Sequence, residues 1–296
     1  MAKTGFIGLG IMGKPMAKNL IKAGYDLIVY DVAEQPLKEV ADAGAQAAGS
    51  IAEVAQNADV IVTMLPNSPH VKEVVLGGGG VLENAKEGTI IVDMSSISPV
   101  ATKEIAAECA KKSVVMLDAP VSGGEPKAIE GTLAIMAGGD EAAFKKVEKM
   151  LHCMGSSAIL VGEVGSGNVT KLANQIIVAA NIAGMSEAMV LASKSGVDPE
   201  KVYNAIRGGL AGSTVLDAKM PLVLEGNFKP GFRIELHIKD LQNVLDAAGV
   251  TQCEVPITSE IIGMMKELRE DGKGQDDHGG LIQYYEKKSG VQCRKK

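Results

Sequence analysis

The residues with the clearest chemistry are Gly8-Leu9-Gly10-Ile11-Met12-Gly13, which follow the short apolar run ending at Ile7 and open an amphipathic stretch. A GxGxxG between a strand and a helix suits a pyrophosphate. The first glycine permits the tight turn, the second lets phosphate approach the backbone, and the third lets the helix pack closely. Phosphate then meets amide groups at the positive end of the helix dipole. Asp31 ends the next apolar run, at the roughly twenty-residue spacing that a ribose-binding acid requires. A carboxylate there accepts the ribose hydroxyls and repels a 2′-phosphate, and Val32, Ala33 and Glu34 supply no arginine. The pattern predicts a dinucleotide site for NAD, with NADP still open.

A second candidate is Ser122-Gly123-Gly124, which follows a strand and Pro120. Small residues at the carboxyl edge of a sheet can form an anion-binding concavity, and Ser122 adds a hydroxyl, so the loop suits a substrate carboxylate. An ordinary Gly-Gly turn has the same letters. Leu65-Pro66 and Ser96 also follow strand ends, and Ser98 before Pro99 would cap a helix. Lys171 stands near the start of a long helical pattern, with Asn174 and Gln175 at i+3 and i+4 on the same face. The four histidines, His70, His152, His237 and His278, are scattered, and their spacing fits no metal site. Asp276-Asp277-His278 is the nearest thing to a ligand cluster and reads as a polar loop. No metal is expected.

These candidates need a scaffold, and the pattern supplies one. Thr4–Gly8, Leu27–Tyr30, Val60–Thr63, Ile90–Val92 and Val114–Leu117 read as strands, with helical stretches such as Met12–Lys22 and Pro99–Lys111 between them. Nearly continuous apolar strands alternating with helices imply a parallel sheet covered on both faces. The alternation continues less regularly through Leu133–Met136 and Ala158–Val161. After a flexible-looking stretch at Gly162, Gly165 and Gly167, only helices follow. Asn168 opens one that reaches about Ser193, and Asp198-Pro199-Glu200 starts the next with a cap, a first-turn proline and an acid. The expected fold class is α/β: an N-terminal Rossmann-type doubly wound sheet over 1–163, followed by an all-helical C-terminal domain over 164–296.

Composition limits the partners. The formal net charge of -6 argues against nucleic acid and anionic membranes. The basic tail Arg294-Lys295-Lys296 reads as a solvated terminus. The 4 cysteines are far apart and form no CxxC pair, as expected for reduced thiols in a cytoplasmic protein. A strand begins within a few residues of Met1, so no targeting segment is expected ahead of it. The most apolar stretch, Ile176–Ala192, is interrupted by Asn181, Ser186 and Glu187 and reads as a buried helix rather than a membrane span. The 14 methionines read as core filler, since aromatics are few and Trp is absent.

Phe6–Leu20 resembles the opening of the β-hydroxyacid dehydrogenase family. Asp118–Gly124, Gly162–Gly167 with Lys171 and Asn174, and Lys239-Asp240-Leu241 match further segments in the family's order. The resemblance implies a two-domain NAD(P)-dependent dehydrogenase with its active site between the domains and a helical domain that builds dimers or tetramers. It implies that Lys171 is the catalytic proton donor, since reducing an aldehyde develops charge on oxygen. A solvated helix lysine is the plain alternative; burial of the ammonium would lower its pKa toward working pH. It also implies that Leu65, Pro66, Ser96 and Lys239 lie at the cofactor, alongside Gly8–Gly13 and Asp31. A helix-surface salt bridge is the plain reading of Lys239, and Arg207 and Arg233 suit either a substrate carboxylate or plain surface charge. Met64–Val74, Ile206–Ser213 and Asn227–Arg233 narrow the resemblance to relatives acting on tartronate semialdehyde (2-hydroxy-3-oxopropanoate), with D-glycerate as the reduced partner. Many relatives carry a second asparagine at position 175, where this chain has Gln175. A polar substrate should want hydrogen-bond donors, and an apolar one such as that of a 3-hydroxyisobutyrate dehydrogenase should want an apolar pocket. A non-catalytic nucleotide-binding module is the reading of a different class, and it would be expected to lack Lys171.

Overall fold

The computed structural model describes residues 3–295, so Met1 and Lys296 of the readings above lie outside the described residues. The chain divides into two compact units, 1–171 and 172–296. The expected boundary at 163 falls a few residues earlier, and the division lies inside one long helix.

The first unit opens with β1 (Thr4–Ile7), α1 (Gly13–Lys22), β2 (Leu27–Tyr30) and α2 (Glu34–Ala41). It continues through β3 (Gln46–Ala47), α3 (Ile51–Asn57), β4 (Val60–Thr63), α4 (Ser68–Leu76) and α5 (Val81–Asn84). Then come β5 (Ile90–Asp93), α6 (Pro99–Ala110), β6 (Val115–Asp118), β7 (Val121–Ser122) and α7 (Gly124–Glu130). The last elements are β8 (Leu133–Gly138), α8 (Glu141–Leu151) and β9 (Gly155–Gly162). Strands β3-β2-β1-β4-β5-β6 lie in that spatial order, all parallel. Side chains alternate across the pleat, so each central strand feeds two cores. Phe6, Val29, Val62, Val92 and Leu117 pack with Met16 and Leu20 of α1 and Phe144 and Val147 of α8. Ile7, Ile28, Ile61, Ile91 and Met116 pack with Val54 of α3, Val71 of α4 and Ile105 of α6 on the other face. Both faces are therefore covered, which is why the strands read as unbroken apolar runs.

The parallel order changes at the far end of the sheet. Asp118 of β6 pairs with Gly138 of β8, and Val121 and Ser122 of β7 pair with Ile135 and Ala134, all antiparallel and in one register. β6 and β7 are thus one strand line, interrupted at Pro120, whose carbonyl still accepts from Met136 N at 3.0 Å but which has no amide to donate. Residues 123–132 return the chain, a connection shorter than the dozen or so residues a parallel crossover needs. The carboxyl ends of the parallel strands form a row: Tyr30, Ile7, Thr63, Asp93 and Asp118 are successive register partners. The segments that carry Gly8–Gly13, Asp31, Leu65-Pro66 and Ser96 leave the sheet just beyond that row.

Helix α9 runs from Ser166 to Lys194. The helical unit then adds α10 (Pro199–Ile206), α11 (Thr214–Glu225), α12 (Ile234–Thr251), α13 (Pro256–Leu268) and α14 (Ile282–Ser289). Among its described residues the only β pairing is the isolated bridge Arg233–Asp277. The cap read from Asp198 forms, its side chain accepting from Glu200 N at 2.9 Å. Ala179, Ile182, Met185 and Met189 of α9 join Met220, Leu241, Ile261 and Met265 in one core. By length and composition α9 could cross a membrane, with 33% of its most apolar window buried in this chain.

Three local readings change. The tail is not simply solvated: Arg294 pairs with the buried Glu286 at 2.6 Å and lies over Phe228, because a buried carboxylate needs a counter-charge. The stretch Gly162–Gly167 is a tightly packed seat rather than a flexible joint; a Cβ at Gly167 would stand 2.4 Å from Met136 O and 2.6 Å from Asp118 O. Ser98 is at the N-cap of α6 but makes no side-chain cap bond.

Candidate active site

The glycine loop divides its work as its spacing predicts. Gly8 has φ +95°, and a Cβ there would meet Met64 O at 2.3 Å. A Cβ on Gly13 would stand 1.9 Å from Gly8 O, so α1 can approach the turn only with hydrogen at this position. Gly10 faces open space, with nothing within 4 Å of a built Cβ. The loop is therefore closed on its protein side and open at its middle glycine, the geometry that lets a pyrophosphate reach the backbone. Asp31 ties the loop to the end of β2: its carboxylate accepts from Leu9 N at 2.5 Å and from Ala33 N at 2.7 Å. The Leu9 side chain is buried in the core, Ile11 is half exposed and Met12 is partly buried. The open backbone at Gly10 and the carboxylate of Asp31 are groups that could hold a dinucleotide's phosphates and ribose.

The segments after β4 and β5 are joined by a buried polar hub. Thr63 Oγ1 donates to Asp93 Oδ1 at 2.8 Å, Ser95 N donates to the same oxygen at 3.2 Å, and Ser95 Oγ accepts from Leu65 N at 2.8 Å. This holds Leu65-Pro66 and Ser95-Ser96 side by side; Pro66 is exposed and Ser96 partly so. Asp93 Oδ2 has no hydrogen-bond partner among the described residues. Burial raises the Asp93 pKa from 3.8 to about 6, with the neighbouring Asp118 adding to the rise. Because the folded carboxyl keeps its proton to higher pH than the unfolded one, it favours folding below the unfolded value. That advantage fades as pH rises to about 6 and is worth about 3 kcal/mol in all. Asp93→Asn should therefore show a flatter fall in stability than wild type between about pH 4 and pH 7 in denaturant titrations. Parallel curves for the two proteins would count against a protonated Asp93.

Asp118 seats the start of α9. Its carboxylate accepts from Gly165 N and Asn168 N, each at 2.7 Å, and burial pushes its pKa upward despite these bonds. Asn168, 1% exposed, accepts from Ile97 N at 3.1 Å and donates to Thr102 Oγ1 at 3.1 Å, joining α9 to the Ser96 segment. One turn on, Lys171 is 8% exposed and its Nζ donates to Val121 O at 2.8 Å. Val121 immediately precedes Ser122-Gly123-Gly124, so the ammonium is held at the root of that loop. Gly123 (φ +140°) and Gly124 (φ +70°) then turn the chain out of β7. Neither Asp118 nor Asn168 was singled out from sequence as a site residue; a polar residue ending an apolar strand was the available signal.

In the helical unit, Asn174, Gln175 and Lys239 meet through Asp240. Gln175 Nε2 donates to Asp240 Oδ2 at 2.6 Å, Asn174 Nδ2 donates to Gln175 Oε1 at 2.9 Å, and Lys239 Nζ lies 2.9 Å from Asp240 Oδ1. Asp240 is 3% exposed and Gln175 4%, so this is a buried polar group with its charge paired. Arg207 pairs with Asp217 at 3.1 Å and Arg233 donates to Gln275 at 2.8 Å, both at the surface. The histidines are not all scattered: His237 and His278 stand with Nδ1 atoms 3.0 Å apart, both buried. Asp277 beside them accepts from Gly231 N, Phe232 N and Lys219 and shapes the loop. Among the described residues no group of three or more His, Cys, Asp or Glu could hold a metal ion.

A glycine loop leaving a parallel sheet, with a buried lysine near the start of a long helix, fits an NAD(P)-dependent dehydrogenase. Family models agree: residues 3–162 match the NAD binding domain of 6-phosphogluconate dehydrogenase, and residues 165–285 match the NAD-binding region of NADP-dependent 3-hydroxyisobutyrate dehydrogenase. The chain is 43% identical to 2-hydroxy-3-oxopropionate reductase of Escherichia coli, over 96% of this chain and 97% of the relative. It is 40% identical to 2-(hydroxymethyl)glutarate dehydrogenase of Eubacterium barkeri, over 98% and 96%. Among solved structures, a Mycobacterium tuberculosis 3-hydroxyisobutyrate dehydrogenase with L-serine superposes with a TM-score of 0.89 at 31% identity, covering 96% of this chain and 99% of that one. The chain belongs to the β-hydroxyacid dehydrogenase family of NAD(P)-dependent oxidoreductases.

Proposed function

We propose that this chain reduces tartronate semialdehyde to D-glycerate with NADH and catalyses the reverse oxidation. The observation that carries the reading is Lys171: a buried ammonium whose Nζ lies 2.8 Å from Val121 O, at the root of the Ser122-Gly123-Gly124 loop. A substrate carboxylate on that loop, held by its amides and the Ser122 hydroxyl, would bring the aldehyde within reach of the lysine. The nicotinamide supplies the hydride. Lys171 donates a proton to the oxygen on which charge develops, and in the reverse direction takes it back. Asn174 and Gln175, one turn further on, orient substrate oxygens. Buried Lys171 also argues against a nucleotide-binding module without catalysis.

The polar substrate is favoured by Gln175, whose buried amide and Asp240 partner make a hydrogen-bonding rather than an apolar surface. The higher identity to the Escherichia coli reductase supports the same choice. The resemblance to 3-hydroxyisobutyrate dehydrogenases keeps the 3-hydroxyisobutyrate reaction as the second reading. NAD is favoured over NADP because Asp31, directly after β2, carries a carboxylate suited to ribose hydroxyls, and Val32, Ala33 and Glu34 after it supply no cation for a 2′-phosphate. The cofactor contacts in this reading are Gly8–Gly13, Asp31, Leu65, Pro66, Ser96 and Lys239. Mixing the protein with tartronate semialdehyde and NADH should consume the NADH and yield glycerate by mass spectrometry. Tight NADH binding without glycerate would overturn the substrate while leaving the cofactor site.

The same reading includes self-association through the helical unit in a cytoplasmic enzyme. Leu191 of α9 is 69% exposed and Ile257 of α13 is 62% exposed. Both line a groove of about 580 Å³ whose α9 wall also carries Ala180, Ala183, Gly184, Glu187 and Ala188. Light scattering is expected to give a dimer or tetramer, and a monomer at working concentration would remove this part of the reading.

A further inference from the structure

Lys171 and Ser96 have separate roots in the fold. Lys171 rides on α9, whose first turn is seated on Asp118 at the end of β6, whereas Ser96 lies in the loop between β5 and α6. Reducing a carbonyl takes a hydride at carbon and a proton at oxygen, so two donors must reach one bond at near-contact distance. A lysine and a cofactor loop on different elements serve that reaction only if a third group holds them in one frame.

Asn168 makes that connection. It stands one turn before Lys171, at the i,i+3 spacing that puts both on one face of α9. Its side chain is buried, and both ends of its carboxamide are used. Oδ1 accepts from Ile97 N at 3.1 Å, and Nδ2 donates to Thr102 Oγ1 at 3.1 Å. Thr102, fully buried, gives its own hydroxyl proton to Ser98 O at 3.2 Å. The amide therefore grips the loop at Ile97 directly and at Ser98 through Thr102. On the other side of Ser96, Ser95 N donates to Asp93 Oδ1 at 3.2 Å. Ser96 is thus a partly exposed residue between two anchored, buried neighbours. An asparagine buried this deeply costs stability unless each polar atom is satisfied, a demand that a small apolar residue would not make. What the asparagine adds is a fixed distance between α9 and the loop.

We propose that Asn168 is a positioning residue that fixes the Lys171 ammonium relative to the Ser96 loop, so that proton and hydride reach the same carbonyl. The proposal rests on the reading that Lys171 donates the proton and that Ser96 lies at the cofactor. The seat on Asp118 uses the Asn168 backbone amide rather than its side chain, so Asn168→Ala should still fold. The experiment is a double-mutant cycle with Lys171→Met in the full-length protein, each variant loaded with NADH and mixed rapidly with tartronate semialdehyde. The amplitude of the first turnover reports the fraction of competent protein, and its rate constant reports the chemical step. Asn168→Ala is expected to slow that step roughly tenfold at full amplitude, as a small displacement of a reacting group can. In the Lys171→Met background the same change should slow it less than about twofold, because the group being positioned is already gone. Thr102→Val removes the partner of Nδ2 but leaves Oδ1 on Ile97 N, and should give a smaller loss in the same direction. A normal rate at reduced amplitude would make Asn168 merely structural, and equal slowing in both backgrounds would show that it does not act through Lys171; either result overturns the proposal. Near-wild-type turnover in Lys171→Met alone would instead remove the reading of Lys171 as proton donor. Acylation of Lys171 by acetic anhydride, followed by peptide mass spectrometry, needs no turnover. It should quicken in Asn168→Ala, and an unchanged rate would count against the proposal even if wild type rejected this aldehyde.

Discussion

Lys171→Ala is expected to lower turnover of the semialdehyde by about a hundredfold or more while leaving NADH affinity nearly unchanged. The size follows from what the ammonium does: without a positioned donor, the developing charge on oxygen must be met by water. The separation of effects follows from position. The amino group is held at Val121 O of β7, in line with β6, and β4 and β5 lie between that strand line and β1, from which the glycine loop leaves. Losing a buried lysine could also loosen the start of α9, so Lys171→Met, which keeps the aliphatic stem, is the better control for packing. Single-turnover measurement with saturating NADH reads the chemical step directly. A Lys171→Met protein with near-wild-type single-turnover rate would remove the lysine from the mechanism.

Gly13→Ala and Gly10→Ala, two additions of a single methyl to one motif, are expected to fail differently. At Gly13 the new Cβ would stand 1.9 Å from Gly8 O, a backbone atom that cannot swing aside, so α1 must shift as a body. Overpacking of this kind costs typically about 1–3 kcal/mol and at times more. The expected result is a marked drop in thermal midpoint together with loss of cofactor binding. At Gly10 the methyl meets nothing within 4 Å, so the protein should fold with its midpoint little changed. The methyl would instead occupy the approach to the phosphates, and NADH affinity should fall steeply. Equal stability loss in both variants would show that the open space at Gly10 is not a ligand's approach.

The parts of this architecture legible from sequence are those where local pattern and global fold agree. The glycine motif after β1, the acid after β2 and the apolar strands each carry their own signal, because a parallel sheet buried on both faces leaves no ambiguity of period. The reversal at β8 carried none: Leu133–Met136 looks like any other apolar strand, and only the shortness of 123–132 distinguishes an antiparallel return. Gly162, Gly165 and Gly167 read as flexible because glycine marks freedom and close packing with the same letter. Here Asp118 and Met136 press against Gly167, and the Asp118 carboxylate takes the amides of Gly165 and Asn168. His237 and His278 are far apart in the chain, and only the packing of α12 brings their Nδ1 atoms face to face. Tertiary polar contacts of this kind have no period for a sequence to display. Asp93, Asp118 and Asn168 show no sequence signal for that reason, whereas Lys171, Asn174 and Gln175 are candidates from their helical spacing and the resemblance around them.

The central claim is a dehydrogenase that selects a hydroxylated three-carbon semialdehyde, and an internal competition tests it most directly. Tartronate semialdehyde and methylmalonate semialdehyde, equal in concentration and in excess over NADH, are offered to the protein together, and the two hydroxy acids formed are quantified by mass spectrometry. Their ratio is the ratio of the two kcat/KM values. Glycerate in excess by about tenfold or more, the margin that a buried hydrogen-bonding group gives over an apolar surface, is the predicted result. An excess of 3-hydroxyisobutyrate would contradict the account and give the site around Gln175 an apolar substrate.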